Sequence, residues 1–159
     1  MNYAFVVQAR LGSTRLPGKI LKPFYGNQSI LDLMVHKLSA ISNIPVIIAT
    51  TNSVINEPIE KKALALGVKC FRGEENDVLK RFIDVAEYFD IQGIFRICSD
   101  NPFLVGYITK ELIVCVNANE EVLQIIPCIL KVVQLDNRRF TVMEYFILTA
   151  LIHVGNVEV

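Results

Sequence analysis

The sequence predicts an α/β domain built around a mainly parallel sheet. Short apolar runs rich in β-formers alternate with helical patterns four times between residues 3 and 117. Those runs are continuously apolar, as in strands covered on both faces. Turn residues, glycine above all, separate the elements. At 159 residues the chain reads as one domain over 1–159, long enough to bury a core.

Residues 3–8, "YAFVVQ", form the first buried strand and run into a glycine-containing loop. Residues 29–41 set Ile30, Leu31, Leu33, Met34, Lys37, Leu38 and Ile41 at helical spacing, with Ser29 as the N-cap. A second strand covers 46–49. A helix over 57–66 is closed by Gly67, in the position a left-handed glycine takes after a helix. "VKCF", 68–71, is the third strand. Residues 77–89 form a helix with Val78, Leu79, Phe82, Val85, Ala86 and Phe89 on one face. The fourth strand is 93–98, ended by "SDNP", and a helix follows over 107–117. Beyond Asn117, "VLQIIPCILKVVQL" is either two strands broken at Pro127 or one bent strand. "FTVMEYFILTALIHV" reads as a strand running into an apolar helix.

Composition excludes several classes of function. Sixteen basic and sixteen acidic residues leave no net charge, hence no field for gripping a nucleic-acid backbone. Four cysteines, Cys70, Cys98, Cys115 and Cys128, contain no C-x-x-C pair, which argues for reduced thiols rather than zinc or disulfides. The longest uncharged stretch, 38–56, is broken by Pro45 and several Asn, Ser and Thr, which argues against a membrane span. The first residues lack the basic and small-residue pattern of a signal peptide. A soluble, cytoplasmic protein is expected.

Chemistry concentrates in "VVQARLGSTRLPGKIL", residues 6–21, where Arg10, Arg15 and Lys19, with Lys22 just beyond, meet no acidic neighbour. A P-loop is ruled out: five residues rather than four separate Gly12 from Gly18, Ile20 follows the lysine, and Pro17 lacks an N–H. The small residues Gly12, Ser13 and Thr14 at a strand end still suit an anion, with two guanidinium forks and one ammonium alongside. On charge alone, a solvated basic loop explains the stretch as well. Asp100, at the end of the fourth strand, is placed either for an octahedral metal or to cap a turn with Asn101-Pro102. Arg96 either lines the same crevice or forms a structural ion pair. His36 and His153 have no second ligand at metal spacing, the Glu74-Glu75 and Glu120-Glu121 pairs read as solvated faces, and Ser13 has no base beside it.

Four motifs in one frame, "VVQARLGSTRLPGKIL", "IIATTN", "LGVKCFRGEENDVLKRF" and "FRICSDNPFL", resemble the nucleotide-sugar cytidylyltransferases. The likeness is to the spore-coat polysaccharide type, related to the synthetases of CMP-neuraminic acid and CMP-ketodeoxyoctonate, and covers residues 3 to 117. It implies a three-layer, Rossmann-like fold of the glycosyltransferase-A kind and nucleotidyl transfer from CTP to a sugar or sugar acid. By the same likeness, the backbone of Ala9, Arg10, Leu11, Gly12 and Ser13 would wrap the CTP. Arg10 and Lys19 would hold its phosphates, with Arg15 assisting. Thr50, Thr51 and Asn52 would face the nucleotide, Arg72, Gly73 and Asp77 would flank base and ribose, and Asp100 would hold Mg2+. Family members usually pair, so a homodimer is expected, with "YFILTALIHV" as core or subunit contact. The likeness weakens over 118–159, which is short for the family. A second metal-binding aspartate of the pattern falls near Met143, which cannot replace it; either Asp136 or Glu144 moves in, or the site runs with one carboxylate. Two further readings follow: a nucleotide-binding or oligomerising module without turnover, and a nucleotidyltransferase using another triphosphate.

Overall fold

The computed structural model describes residues 2–13, 16–99, 130–136 and 139–145. Its elements run β1 (Tyr3–Gln8), β2 (Pro23–Tyr25), β3 (Gln28–Ser29), α1 (Ile30–Ile41), β4 (Val46–Thr51), α2 (Glu57–Ala65), β5 (Lys69–Gly73), α3 (Val78–Tyr88), β6 (Gly93–Cys98), β7 (Leu130–Asp136) and β8 (Arg139–Tyr145). One six-stranded sheet has the order β5-β4-β1-β6-β7-β8. The first four of these strands are parallel, in register Phe5 to Val46, Phe5 to Phe95 and Ile48 to Cys70. β7 lies antiparallel to β6, and β8 turns back on β7. The α/β expectation with a mainly parallel sheet therefore holds.

Two cores form because strand side chains alternate. Phe5, Val7, Ile48, Phe95 and Ile97 meet Leu31, Met34 and Leu38 of α1 and Ile59 and Ala63 of α2 on one face. Ala4, Val6, Ile47, Ala49 and Ile94 meet Phe82, Val85 and Ala86 of α3 on the other. The result is three layers, with every residue of β4 buried. At the start of α1, Ser29 accepts from the Asp32 N–H at 3.3 Å, and Asp32 accepts from the Ser29 N–H at 2.8 Å, a reciprocal cap. Asp32 also pairs with Lys62 at 2.7 Å, tying α1 to α2.

The predicted strands at 46–49 and 68–71 are displaced or longer in the structure. β4 reaches Thr51 and β5 reaches Gly73, because Thr50 pairs with Arg72 and Thr51 with Gly73. The β2–β3 hairpin, turning through Gly26 at φ 56°, was not foreseen. β7 covers the end of the apolar stretch 122–135 and β8 the strand expected from Phe140, while the choice at Pro127 lies outside the described residues. The helix expected over 107–117 and the segment 146–159 lie outside the described residues. Among the described residues no helix is long and apolar enough to cross a membrane.

Candidate functional site

Parallel strands deliver their carboxyl ends to one edge of the sheet, and the loops that leave it there form the crevice. The first loop follows β1. Ala9 still belongs to the sheet, donating its N–H to the Ala49 carbonyl at 3.0 Å. Leu11 is the hub of the turn: its carbonyl accepts from the Ser13 N–H at 2.8 Å and the Gly18 N–H at 3.1 Å. Gly18, at φ 69°, returns the chain into a short 3-10 turn over Lys19–Leu21 that drives Ile20 into the core. Arg10 and Gly12 are exposed, while Ser13 and Lys19 are half-buried. Thr14 and Arg15 lie outside the described residues.

The loop differs in one respect from a cradle of exposed amides. The N–H groups of Ala9, Leu11, Ser13, Gly18 and Lys19 all donate within the protein. Those five amides are thus committed within the protein, and Arg10 and Lys19 add cationic side chains beside them.

The second loop leaves β4. Thr50 and Thr51 are 0% exposed, so neither offers surface to a nucleotide; β4 is covered on both faces up to its last residue. The hydroxyl of Thr50 has no hydrogen-bond partner, and that of Thr51 accepts from Asn56 Nδ2 at 2.6 Å. Asn52 is the exposed member of the trio, its N–H donated to the Gly73 carbonyl at 2.9 Å.

The third loop joins β5 to α3, and here the residues expected to flank base and ribose make bonds within the protein. Arg72 donates to Glu60 at 2.9 Å and to the carbonyls of Asn52 and Ser53 at 3.1 Å each, bracing the second loop. Asp77 caps α3, accepting from the Lys80 N–H at 2.8 Å. Gly73 is buried, and a Cβ there would stand 2.9 Å from both Arg81 Cγ and Phe71 Cε1. Its missing side chain makes room for Arg81.

Arg81 is a site residue the motif reading passed over. Only 1% exposed, it donates from Nε to the Glu74 carbonyl at 2.8 Å and from Nη2 to the Glu75 carbonyl at 3.0 Å. Its Nη1 is buried without an acceptor. Burial first, and then the nearby charge of Arg10, lower the Arg81 pKa from its ordinary value. A signal for it was present: Arg81 falls three residues after Val78 and four before Val85, on the apolar side of α3. Asn56, also missed, gave no such signal; it is 1% exposed and bridges Thr51 to the Leu11 N–H, which it accepts at 2.8 Å.

On β6, Arg96 donates to the Gln8 amide oxygen at 3.0 Å and lies over the Phe82 ring at 5.4 Å. Among the described residues its side-chain partner is an amide rather than the acid that an ion pair would need. Cys70 and Cys98 are free thiols and only half-buried, where buried ones were expected. Asp100 lies outside the described residues, as do Cys115, Cys128 and His153, and so does the comparison of Asp100 with Arg10 and Lys19. β8 sets Met143 opposite Val132 in the register.

Among the described residues no three His, Cys, Asp or Glu side chains stand together as metal ligands. What the described crevice supplies is positive charge: Arg10 exposed, Lys19 half-buried, and Arg81 fixed beneath the third loop. Such a set suits a polyphosphate, whose charge it can neutralise without a covalent step.

The chain resembles known proteins in sequence and in fold. The chain is 38% identical over 105 residues to the spore coat polysaccharide biosynthesis protein SpsF of Bacillus subtilis (strain 168), a match spanning 63% of this chain and 43% of that one. It is 31% identical over 115 residues to the 3-deoxy-manno-octulosonate cytidylyltransferase of Blochmanniella pennsylvanica, across 70% of this chain and 44% of the other. Among solved structures, a cytidylyltransferase from Leptospira borgpetersenii serovar Hardjo-bovis superposes with a TM-score of 0.71 at 35% identity, covering 76% of this chain and 51% of that one. A CMP:2-keto-3-deoxy-manno-octonic acid synthetase complexed with CTP shares the fold, with a TM-score of 0.63 at 19% identity over 75% and 48% of the two chains. The chain thus spans about half the length of the proteins it matches. A cytidylyltransferase family model matches residues 4–145, and by that match across most of its length this chain is a member of the cytidylyltransferase family.

Proposed function

We propose that the chain transfers a cytidylyl group from CTP to a hydroxyl of a sugar or sugar acid, releasing pyrophosphate, in the synthesis of cell-surface polysaccharide. The family match over residues 4–145 carries this reading. Support for the acceptor class comes from one relative named for spore coat polysaccharide biosynthesis and another named for 3-deoxy-manno-octulosonate. In the reaction the acceptor oxygen bonds to the α-phosphorus, the bond from that phosphorus to the oxygen bridging to the β-phosphate breaks, and the hydroxyl proton leaves to solvent. Little covalent help is needed; alignment and charge neutralisation suffice. Arg10 and Lys19 hold the phosphates in this scheme, with Arg15 assisting, and Asn52 faces the nucleotide. Asp100 is assigned to Mg2+, which when bound would neutralise phosphate charge. The setting is cytoplasmic, and the working form is a homodimer.

In a CTP-dependent pyrophosphate-release assay with a panel of acidic and phosphorylated sugars, Lys19→Ala and Asp100→Asn should each lower turnover by roughly a hundredfold or more. Near-native rates in either variant would remove that residue's role. Met143, near the position where the family pattern has a second metal-binding aspartate, favours a second reading, a nucleotide-binding module without turnover. Calorimetric binding of CTP with magnesium, and no pyrophosphate release with any acceptor, would establish it. Competition among the four nucleoside triphosphates tests the use of another base.

A further inference from the structure

We propose that Asn56 is a positioning residue for the nucleotide: its buried carboxamide fixes the main chain of the loop after β1 in the shape that receives CTP. The inference rests on the CTP reading above. Its physical basis is a bridge between two loops far apart in sequence. Asn56 Oδ1 accepts the Leu11 N–H at 2.8 Å across 45 residues of chain, while Asn56 Nδ2 donates to Thr51 Oγ1 at 2.6 Å. The carboxamide is thereby held at both ends, and its oxygen is committed to the Leu11 side.

Leu11 is the point where such a hold has most effect. Its carbonyl already gathers the Ser13 and Gly18 N–H groups, so fixing the Leu11 amide orients Arg10 before it and Gly12-Ser13 after it. Leu11 is only half-buried, and its N–H would find water if Asn56 were elsewhere. Asn56, by contrast, is 1% exposed. A buried amide has thus been committed to a surface turn, and the return on that is the loop's geometry rather than core stability.

Asn56 is itself held from the far side. The 3-10 turn Val54–Asn56 directs its N–H to the Ser53 carbonyl at 3.0 Å, and Arg72 donates to that same carbonyl at 3.1 Å. A continuous path therefore runs from Glu60 through Arg72, Ser53 and Asn56 to Leu11. This assigns Arg72 a part in nucleotide binding without a contact to the nucleotide.

The test is calorimetric titration of the full chain with CTP and magnesium, paired with amide hydrogen exchange at Leu11. Asn56→Leu keeps the volume and loses both bonds; it should weaken CTP binding about tenfold or more and speed Leu11 exchange by a similar factor. Asn56→Asp keeps the bond from the Leu11 N–H and reverses the other, the Thr51 hydroxyl donating to the carboxylate in place of the Asn56 amide. It should stay within about threefold of the unaltered chain in both measurements. Rescue by the aspartate separates positioning from mere packing, since both substitutions preserve volume. Should Asn56→Leu fail to fold, Asn56→Ser, too short to reach Leu11, carries the same expectation. Native CTP affinity in Asn56→Leu or Asn56→Ser with an unprotected Leu11 amide overturns the inference alone. So does an Asn56→Asp chain that protects Leu11 yet binds CTP no better than Asn56→Leu. An unaltered chain that binds no CTP overturns the functional reading, and the inference with it.

Discussion

Replacing Gly73 with alanine adds one methyl group where the structure has no space for it. The new Cβ would lie 2.9 Å from Arg81 Cγ and 2.9 Å from Phe71 Cε1. Neither neighbour yields easily: the Arg81 stem is buried, and its guanidinium is tied to the Glu74 and Glu75 carbonyls. Overpacking of this kind costs about 1–3 kcal/mol. Against it stands a gain of about 0.4–1 kcal/mol, because alanine narrows the unfolded ensemble. Gly73 has no positive φ, so backbone strain does not enter. The net loss is about 1–2 kcal/mol, which for a chain of this size lowers the melting temperature by about 2–8 °C. Thermal or urea denaturation followed by circular dichroism measures it. In an Arg81→Ala background the Cγ is gone and only Phe71 resists, so Gly73→Ala should cost less there, with a coupling of about 0.5 kcal/mol or more. A Gly73→Ala chain as stable as its parent, or an equal cost in both backgrounds, refutes the claim that Gly73 exists to admit Arg81.

Other outcomes follow from the same contacts. Ser29→Ala removes the acceptor for the Asp32 N–H and a hydroxyl bonded to the Asp32 carboxylate, and should lower stability by about 1–2 kcal/mol in urea melts. Burial alone would raise the Asp32 pKa, but hydrogen bonds from Lys62 and Ser29 outweigh it and hold the carboxyl below its ordinary 3.8. Its contribution to stability is therefore complete above that value and lost as pH falls through the lower folded one; Asp32→Asn should flatten this part of the pH profile of denaturation. Burial, with the Glu60 charge adding to it, pushes the Cys70 thiol up to about 11, so Cys70 should resist iodoacetamide at pH 8 until the chain is unfolded, as read by mass spectrometry. Arg72→Lys cannot span Glu60 and two carbonyls with a single ammonium, and should weaken CTP binding by roughly threefold to tenfold in calorimetry.

Much of this was legible from the amino acids because the layers follow local rules. Apolar runs bounded by turn residues became the four parallel strands, and Ser29 and Asp77 both cap the helices they precede. The β2–β3 hairpin was not legible, since its strands are too short to show a period. The site divides along similar lines. Residues 9–13 and 16–19 of the basic stretch, and "TTN", do lie at the carboxyl edge of the sheet, where parallel topology must bring them. Within those stretches, residue type did not reveal orientation: Thr50 and Thr51 look inward because β4 pairs two residues further than its apolar run. Arg81 was visible as a cation on an apolar helix face, whereas the Asn56 bridge depends on a contact 45 residues away that no local pattern encodes.

Arg10 and Arg81 also make this crevice a sensor of its surroundings. The charge of Arg10 works against the buried Arg81, Glu74, Glu75 and Asp77 offset it, and an anion that settles by Arg10 would offset it further. Folding and anion capture are then two readings of one balance. Millimolar pyrophosphate should raise the melting temperature beyond what equal ionic strength from chloride achieves, and the excess should shrink once Arg10 is made neutral.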